Sequence, residues 1–130
     1  AEMSTKGVDS TASANEAVEV AKELARKTRA IISISGKTDY ITNGEIIHEV
    51  ANGHPLMGKI TGTGCTASAL TAAFASVNQD YLTAATEAMI IMGIAGEMAG
   101  DEADAPGTFQ GKFLDALYKI NSEEIKNRIR

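Results

Sequence analysis

The sequence predicts an α/β fold, with a mostly parallel sheet flanked by helices and one β-hairpin added to it. Three observations lead there. An amphipathic helix ending near Thr28 runs directly into a short, β-branched apolar stretch, the order expected of a βαβ sheet. An Asn-Gly pair at 43–44 lies between two β-like runs. Three later segments carry apolar residues at helical spacing.

Residues 1–15 are small and polar and read as a loop leading into the first helix. Ser13 and Glu16 have capping-box spacing. Ala17, Val20, Ala21, Leu24 and Ala25 then form one face, and Glu19, Lys22, Glu23 and Arg26 the other. Ala30 to Ser35 reads as a buried strand, because β-branched apolar runs suit a sheet covered on both faces. Asp39 to Thr42 and Glu45 to Val50 are the arms of the hairpin. Asn52-Gly53-His54-Pro55 is a turn, and the chain from Met57 to Thr63 is a loop that becomes glycine-rich. From Gly64 a helix begins whose residues are nearly all small or apolar, so burial on most sides is expected. Asp80 can cap a second apolar helix from Tyr81 to about Gly100, with Leu82, Ala85, Met89, Met92 and Gly96 on one face. Pro106-Gly107 breaks the chain, and Thr108 can cap a helix bearing Phe109, Phe113, Leu117 and Ile120. Ser122 to Arg130 is charged and reads as a short, frayed helix. The late helices are too apolar to face water all round, so a larger sheet or a symmetry partner should cover them.

Composition excludes several function classes. The chain has 130 residues, one domain or a large part of one, and is 44% hydrophobic, 22% charged and 5% aromatic. Its net charge of -5 and pI of about 5.0 argue against non-specific nucleic-acid binding, which needs a basic face. No apolar run is read as approaching the roughly 20 residues of a membrane span, and no signal peptide is visible. Cys65 is the only cysteine, which suits a reducing cytoplasm. A chain beginning at Ala1 is compatible with a removed initiator Met, a fragment or a processed product.

The chemistry concentrates at Thr61-Gly62-Thr63-Gly64-Cys65. Two glycines let backbone N–H groups approach a ligand, and the helix that follows points the positive end of its dipole there. The threonines add hydroxyl donors, and Lys59 stands near in sequence. The pattern equally fits a plain glycine-rich helix start, and Walker A spacing is absent. Cys65 suits either a functional thiol or a small buried hydrophobe. Neither His48 nor His54 is placed beside it by local spacing, so structural or exposed roles are expected for both. Ser35-Gly36 ends the first strand, where α/β proteins gather ligands, and Asp9-Ser10 is a weaker candidate of the same kind. Asp101, Glu102 and Asp104 lack recognisable ligand spacing and read as a solvated loop, leaving no metal site assigned.

Taken together, Gly7-Val8-Asp9-Ser10, Ser35-Gly36, Asp39-Tyr40-Ile41-Thr42-Asn43-Gly44, Asn52-Gly53-His54-Pro55-Leu56-Met57 and Lys59-Ile60-Thr61-Gly62-Thr63-Gly64-Cys65 resemble the hydroxyethylthiazole kinase family in order and spacing. The resemblance implies a ribokinase-like fold. It implies ATP- and Mg2+-dependent phosphorylation of the primary hydroxyl of 4-methyl-5-(2-hydroxyethyl)thiazole, for thiamine salvage, by a trimer with active sites at subunit interfaces. By position, Ser35 would contact ATP, where the family more often has Thr. Gly62 would lie against the thiazole, and Gly62, Thr63 and Gly64 would form the anion hole. Cys65 would hold the catalytic position where most ribokinase relatives carry Asp.

The family is about twice as long. Residues 1–130 therefore correspond to the C-terminal part of one kinase domain, and Ala1 to Lys6 resemble the tail of its first half. That N-terminal half would supply the rest of the sheet, much of the thiazole pocket, an ATP-binding Arg and acidic metal ligands. The chain alone is expected to be inactive. The alternatives are another ribokinase-like kinase, for which Asp would be expected at position 65, and a non-catalytic assembly module, which would ignore ATP analogues.

Overall fold

A computed structural model describes residues 11–130, so Gly7-Val8-Asp9-Ser10 and Ala1 to Lys6 lie outside the described residues. The described chain runs α1 (Thr11–Thr28), β1 (Ile32–Ile34), β2 (Asp39–Thr42), β3 (Ile47–Val50), a 3-10 turn (Pro55–Lys59), α2 (Thr63–Val77), α3 (Tyr81–Glu102), α4 (Pro106–Lys119) and α5 (Ser122–Arg128). α1 begins ahead of the Ser13–Glu16 spacing, and the Ser13 side chain lies outside what is described. On α1, Ala21 and Ala25 are buried, whereas Val20 and Leu24 are well exposed.

The described strands form one antiparallel sheet in the order β1-β2-β3, and the mostly parallel sheet expected from the sequence is not seen among them. β1 is shorter than the expected strand and half-exposed rather than buried, because it pairs on one side only, with β2. The hairpin is present, with Ile41 opposite His48 and Thr42 opposite Ile47. Its turn has four residues rather than two, so β3 starts at Ile47 instead of Glu45. Side chains stabilise this longer turn. Asn43 Oδ1 accepts from the N–H groups of Glu45 (2.9 Å) and Ile46 (2.8 Å), and the Thr42 hydroxyl donates to the Ile46 carbonyl at 2.7 Å. Gly44, at φ 98°, packs so closely on α1 that a Cβ there would stand 2.6 Å from Arg26 Cγ.

α3 is the spine of the molecule. Asp80 caps it, accepting from Thr83 N–H at 3.2 Å and the Thr83 hydroxyl at 2.7 Å. The expected face of Leu82, Ala85, Met89, Met92 and Gly96 is buried. Leu82, Ala85 and Met89 pack with Ile41 and Val50 of the sheet; Met92, Ala95 and Ala99 pack with Phe109, Phe113 and Ala116 of α4. By length and composition α3 is long and apolar enough to cross a membrane, contrary to the sequence reading, but it is mostly buried here as a core helix. Glycines on α3 admit the segment before α2. A Cβ on Gly93 would stand 2.6 Å from Asn52, one on Gly96 would strike the Met57 sulfur, and one on Gly100 the His54 ring.

Three further expectations change. α2 has no buried residue, although it is almost wholly small or apolar, because among the described elements it packs chiefly against α3. Pro106 starts α4 rather than breaking the chain, with Ala105 at the N-cap, so Thr108 lies inside the helix. Proline fits the first turn, where its missing N–H has no intrahelical partner in any case. α5 is capped by Asn121 and tied down rather than frayed, as the hydrogen bonds around Asn52 show.

Candidate active site

A cleft of about 760 Å³ opens between the turn from β1 to β2, the 51–58 segment, the start of α2 and one flank of α3. Its apolar lining includes Met57, Ala67, Met89 and Met92. Its polar lining includes Ser35, Lys37, Asp39, Asn52 and Arg130.

The structure brings some of the expected residues together here. Ser35 and Gly36 follow the last residue of β1 and line the cleft, and Thr63 and Gly64 line it from the first turn of α2. Gly62 is the N-cap of α2 at φ 95°, a left-handed backbone that favours glycine, and it brings no side chain to cap the first turn. Its carbonyl accepts from both the N–H and the hydroxyl of Thr66, each at 2.9 Å. Gly62 and Cys65 are exposed and are not among the residues lining the cleft; the same holds for Thr61 and Lys59.

Both histidines hydrogen-bond within the fold, and His54 also lines the cleft. His48 Nδ1 lies 2.8 Å from the Thr86 hydroxyl oxygen, which also stands 2.7 Å from the Leu82 carbonyl. His54 Nδ1 accepts from Leu56 N–H at 3.2 Å, and its ring stacks on Phe109. Asp101 pairs with Arg128 (2.7 Å) and Glu102 with Lys112 (2.6 Å). No group of three or more His, Cys, Asp or Glu able to hold a metal is present among the described residues.

Sequence reasoning missed four residues. Asp39 is buried beside Gly36, whose N–H donates to its Oδ1 at 2.9 Å; burial nonetheless pushes its carboxyl up to about 6. Buried Glu97 and Asn52 form a knot with the exposed Arg130. Glu97 Oε1 accepts from Asn52 Nδ2 (3.1 Å), Gly53 N–H (3.1 Å) and Arg130 Nη2 (2.8 Å). Asn52 Nδ2 also reaches the Arg128 carbonyl at 2.6 Å, and Asn52 Oδ1 accepts from Arg130 N–H at 2.9 Å. One signal was available: Glu97 is a lone charge in the apolar run 88–99, and a buried carboxylate needs partners. Nothing local marks Arg130 as its partner.

Strand ends facing a glycine-rich helix start across an open cleft place the chain among α/β proteins whose ligands gather at such junctions. The family follows from comparison. The profile of the Hydroxyethylthiazole kinase family matches residues 1–123, and the chain belongs to that family. It is 52% identical over 125 residues to a hydroxyethylthiazole kinase of Leptospira biflexa serovar Patoc, covering 96% of this chain and 47% of the relative. It is 46% identical to the hydroxyethylthiazole kinase of Desulfotalea psychrophila, covering 99% and 47%. The solved hydroxyethylthiazole kinase structure from Pyrococcus horikoshii superposes with a TM-score of 0.86 at 39% identity, over 92% of this chain and 46% of that one. The chain thus spans about half the length of the curated relatives it matches.

Proposed function

We propose that the full-length protein containing this chain transfers a phosphoryl group from ATP to the hydroxyl of 4-methyl-5-(2-hydroxyethyl)thiazole, in thiamine biosynthesis or salvage. The observation that carries the reading is the cleft that joins Ser35-Gly36 to Thr63-Gly64, in a chain of this family. In this reading the cleft takes ATP. The Ser35 hydroxyl donates to a phosphate oxygen, and Gly62, Thr63 and Gly64 form the anion hole with the dipole of α2. The thiazole lies on the other side of the same helix start, against exposed Gly62. There Cys65, also exposed, orients the substrate hydroxyl for attack. Charge stabilisation and alignment are what phosphoryl transfer needs most, so a weakly basic residue at this position suffices.

Magnesium is expected to accompany ATP and to neutralise phosphate charge when bound. No group of three or more metal-ligating side chains stands among the described residues, and its protein ligands are expected in the rest of the full-length protein. We also propose the complete fold as a ribokinase-like, mostly parallel sheet, to which residues 1–130 contribute the C-terminal part. The half-exposed β1, at the edge of the sheet, and the unburied α2 support a further layer. A homotrimer in the cytoplasm belongs to the same reading.

Mass spectrometry of the thiazole product tests it. The full-length protein forms the phosphate ester in the presence of ATP; a folded full-length protein that forms none overturns the assignment. The 130-residue chain alone gives no turnover, and robust turnover would show that half the family length suffices.

A further inference from the structure

We propose that Arg130 is an anion-recognition residue of the cleft, aimed by Glu97 and Asn52 at the phosphate chain of the bound nucleotide. The proposal rests on the reading in which the cleft takes ATP, and adds to it a residue outside the sequence motifs.

Arg130 lines the cleft, and its side chain is 60% exposed although its backbone is fixed on both sides. Its N–H donates to Asn52 Oδ1 at 2.9 Å, and its carbonyl accepts from Ala51 N–H at 3.0 Å. Its head is fixed too, because Nη2 meets Glu97 Oε1 at 2.8 Å. An ordinary surface arginine pairs with another mobile, solvated side chain and gains little from it. Here the anchor is a buried carboxylate, itself held by Asn52 Nδ2 and Gly53 N–H. A guanidinium presents several N–H donors in a rigid fork, and the Glu97 contact uses Nη2 alone. The other donors remain for a ligand, and planar donor pairs match phosphate oxygens.

Charge points the same way. The chain carries a net charge of -5, yet the charged side chains lining the cleft are two cations, Lys37 and Arg130, and one carboxylate, Asp39. Glu97 stands behind the guanidinium and is not among the lining residues. Its role is that of a positioning residue: it spares Arg130 the rotamer freedom that binding would otherwise have to remove. The apolar side, with Met89 and Met92, suits an uncharged moiety, which makes adenosine the control.

Calorimetric titration of the full-length protein with ATP, tripolyphosphate and adenosine decides the matter. Arg130→Ala should weaken ATP and tripolyphosphate about tenfold and leave adenosine within about twofold. Arg130→Lys should recover part of the loss, because charge returns without the fork. Glu97→Gln should weaken the two anions about threefold and spare adenosine, which loss of a merely structural contact would not do. Arg130 is exposed, so its variants report even if Glu97→Gln folds poorly. Unchanged anion affinity in Arg130→Ala, or equal weakening of all three ligands, overturns the proposal. An unaltered full-length protein that binds none of the three overturns the nucleotide reading itself, and this inference with it.

Discussion

Asp39 shows how a single residue can couple the cleft to pH. Burial raises its carboxyl to about 6 from an ordinary value near 3.8, so the folded chain favours the protonated form. As pH rises through that window, the unfolded chain releases its proton first and stability falls. Asp39→Asn keeps an acceptor for Gly36 N–H and removes the ionisation. Thermal melts should show the variant more stable at pH 7.5, by on the order of 1 kcal/mol once water reaching the carboxyl from the cleft is allowed for. The gain should vanish near pH 4, and an equal gain at both pH values would refute the account. Cys65 makes a second case. If it orients a hydroxyl rather than removing a proton, Cys65→Asp in the full-length protein retains ATP-dependent thiazole phosphorylation; total loss in a folded variant would count against that role. At this scale the sequence was only partly legible. Thr63 and Gly64 were readable because a glycine-rich helix start is a local pattern. Asp39 and Arg130 were not, because what matters about them is burial and partners that local spacing does not encode.

At the scale of elements, α3 and the segment before α2 depend on each other. The glycines at 93, 96 and 100 are spaced for one side of a helix, and each lies where Asn52, Met57 or His54 comes too close for a Cβ. Gly93→Ala should cost about 1–3 kcal/mol, because it drives a methyl into Asn52 backbone atoms that have little room to yield. Gly111→Ala in α4 meets open space and should stabilise by about 1 kcal/mol, since glycine inside a helix is unfavourable. Denaturant midpoints of the two variants on opposite sides of the parent would bear this out; two shifts in the same direction would not. Local chemistry explains which elements were legible. Asp80 and the Asn43-Gly44 turn carry short-range signals, so the start of α3 and the hairpin were readable. The half-exposed state of β1 was not, since a β-branched run looks the same whether one neighbour or two is present. Pro106 misled because proline both interrupts helices and begins them.

For the molecule as a whole, the telling contrast is between α3 and α2. Both are rich in alanine, yet α3 is buried along much of its length and α2 has no buried residue. Ala72, exposed on α2, separates the two situations. Ala72→Glu should change the stability of the 130-residue chain by no more than about 0.5 kcal/mol. In the full-length protein, if the second layer covers α2, the same change should cost at least about 2 kcal/mol. Equal effects in both would mean that α2 faces water throughout. The knot at Asn52 also has a consequence in time. It joins positions 45 and 78 residues apart along the chain, so it forms only after a long loop closes. A growing polypeptide can build the hairpin and α3 while the cleft still lacks its Arg130 wall. That wall arrives only when residues 128–130 have been made and have folded back onto Asn52.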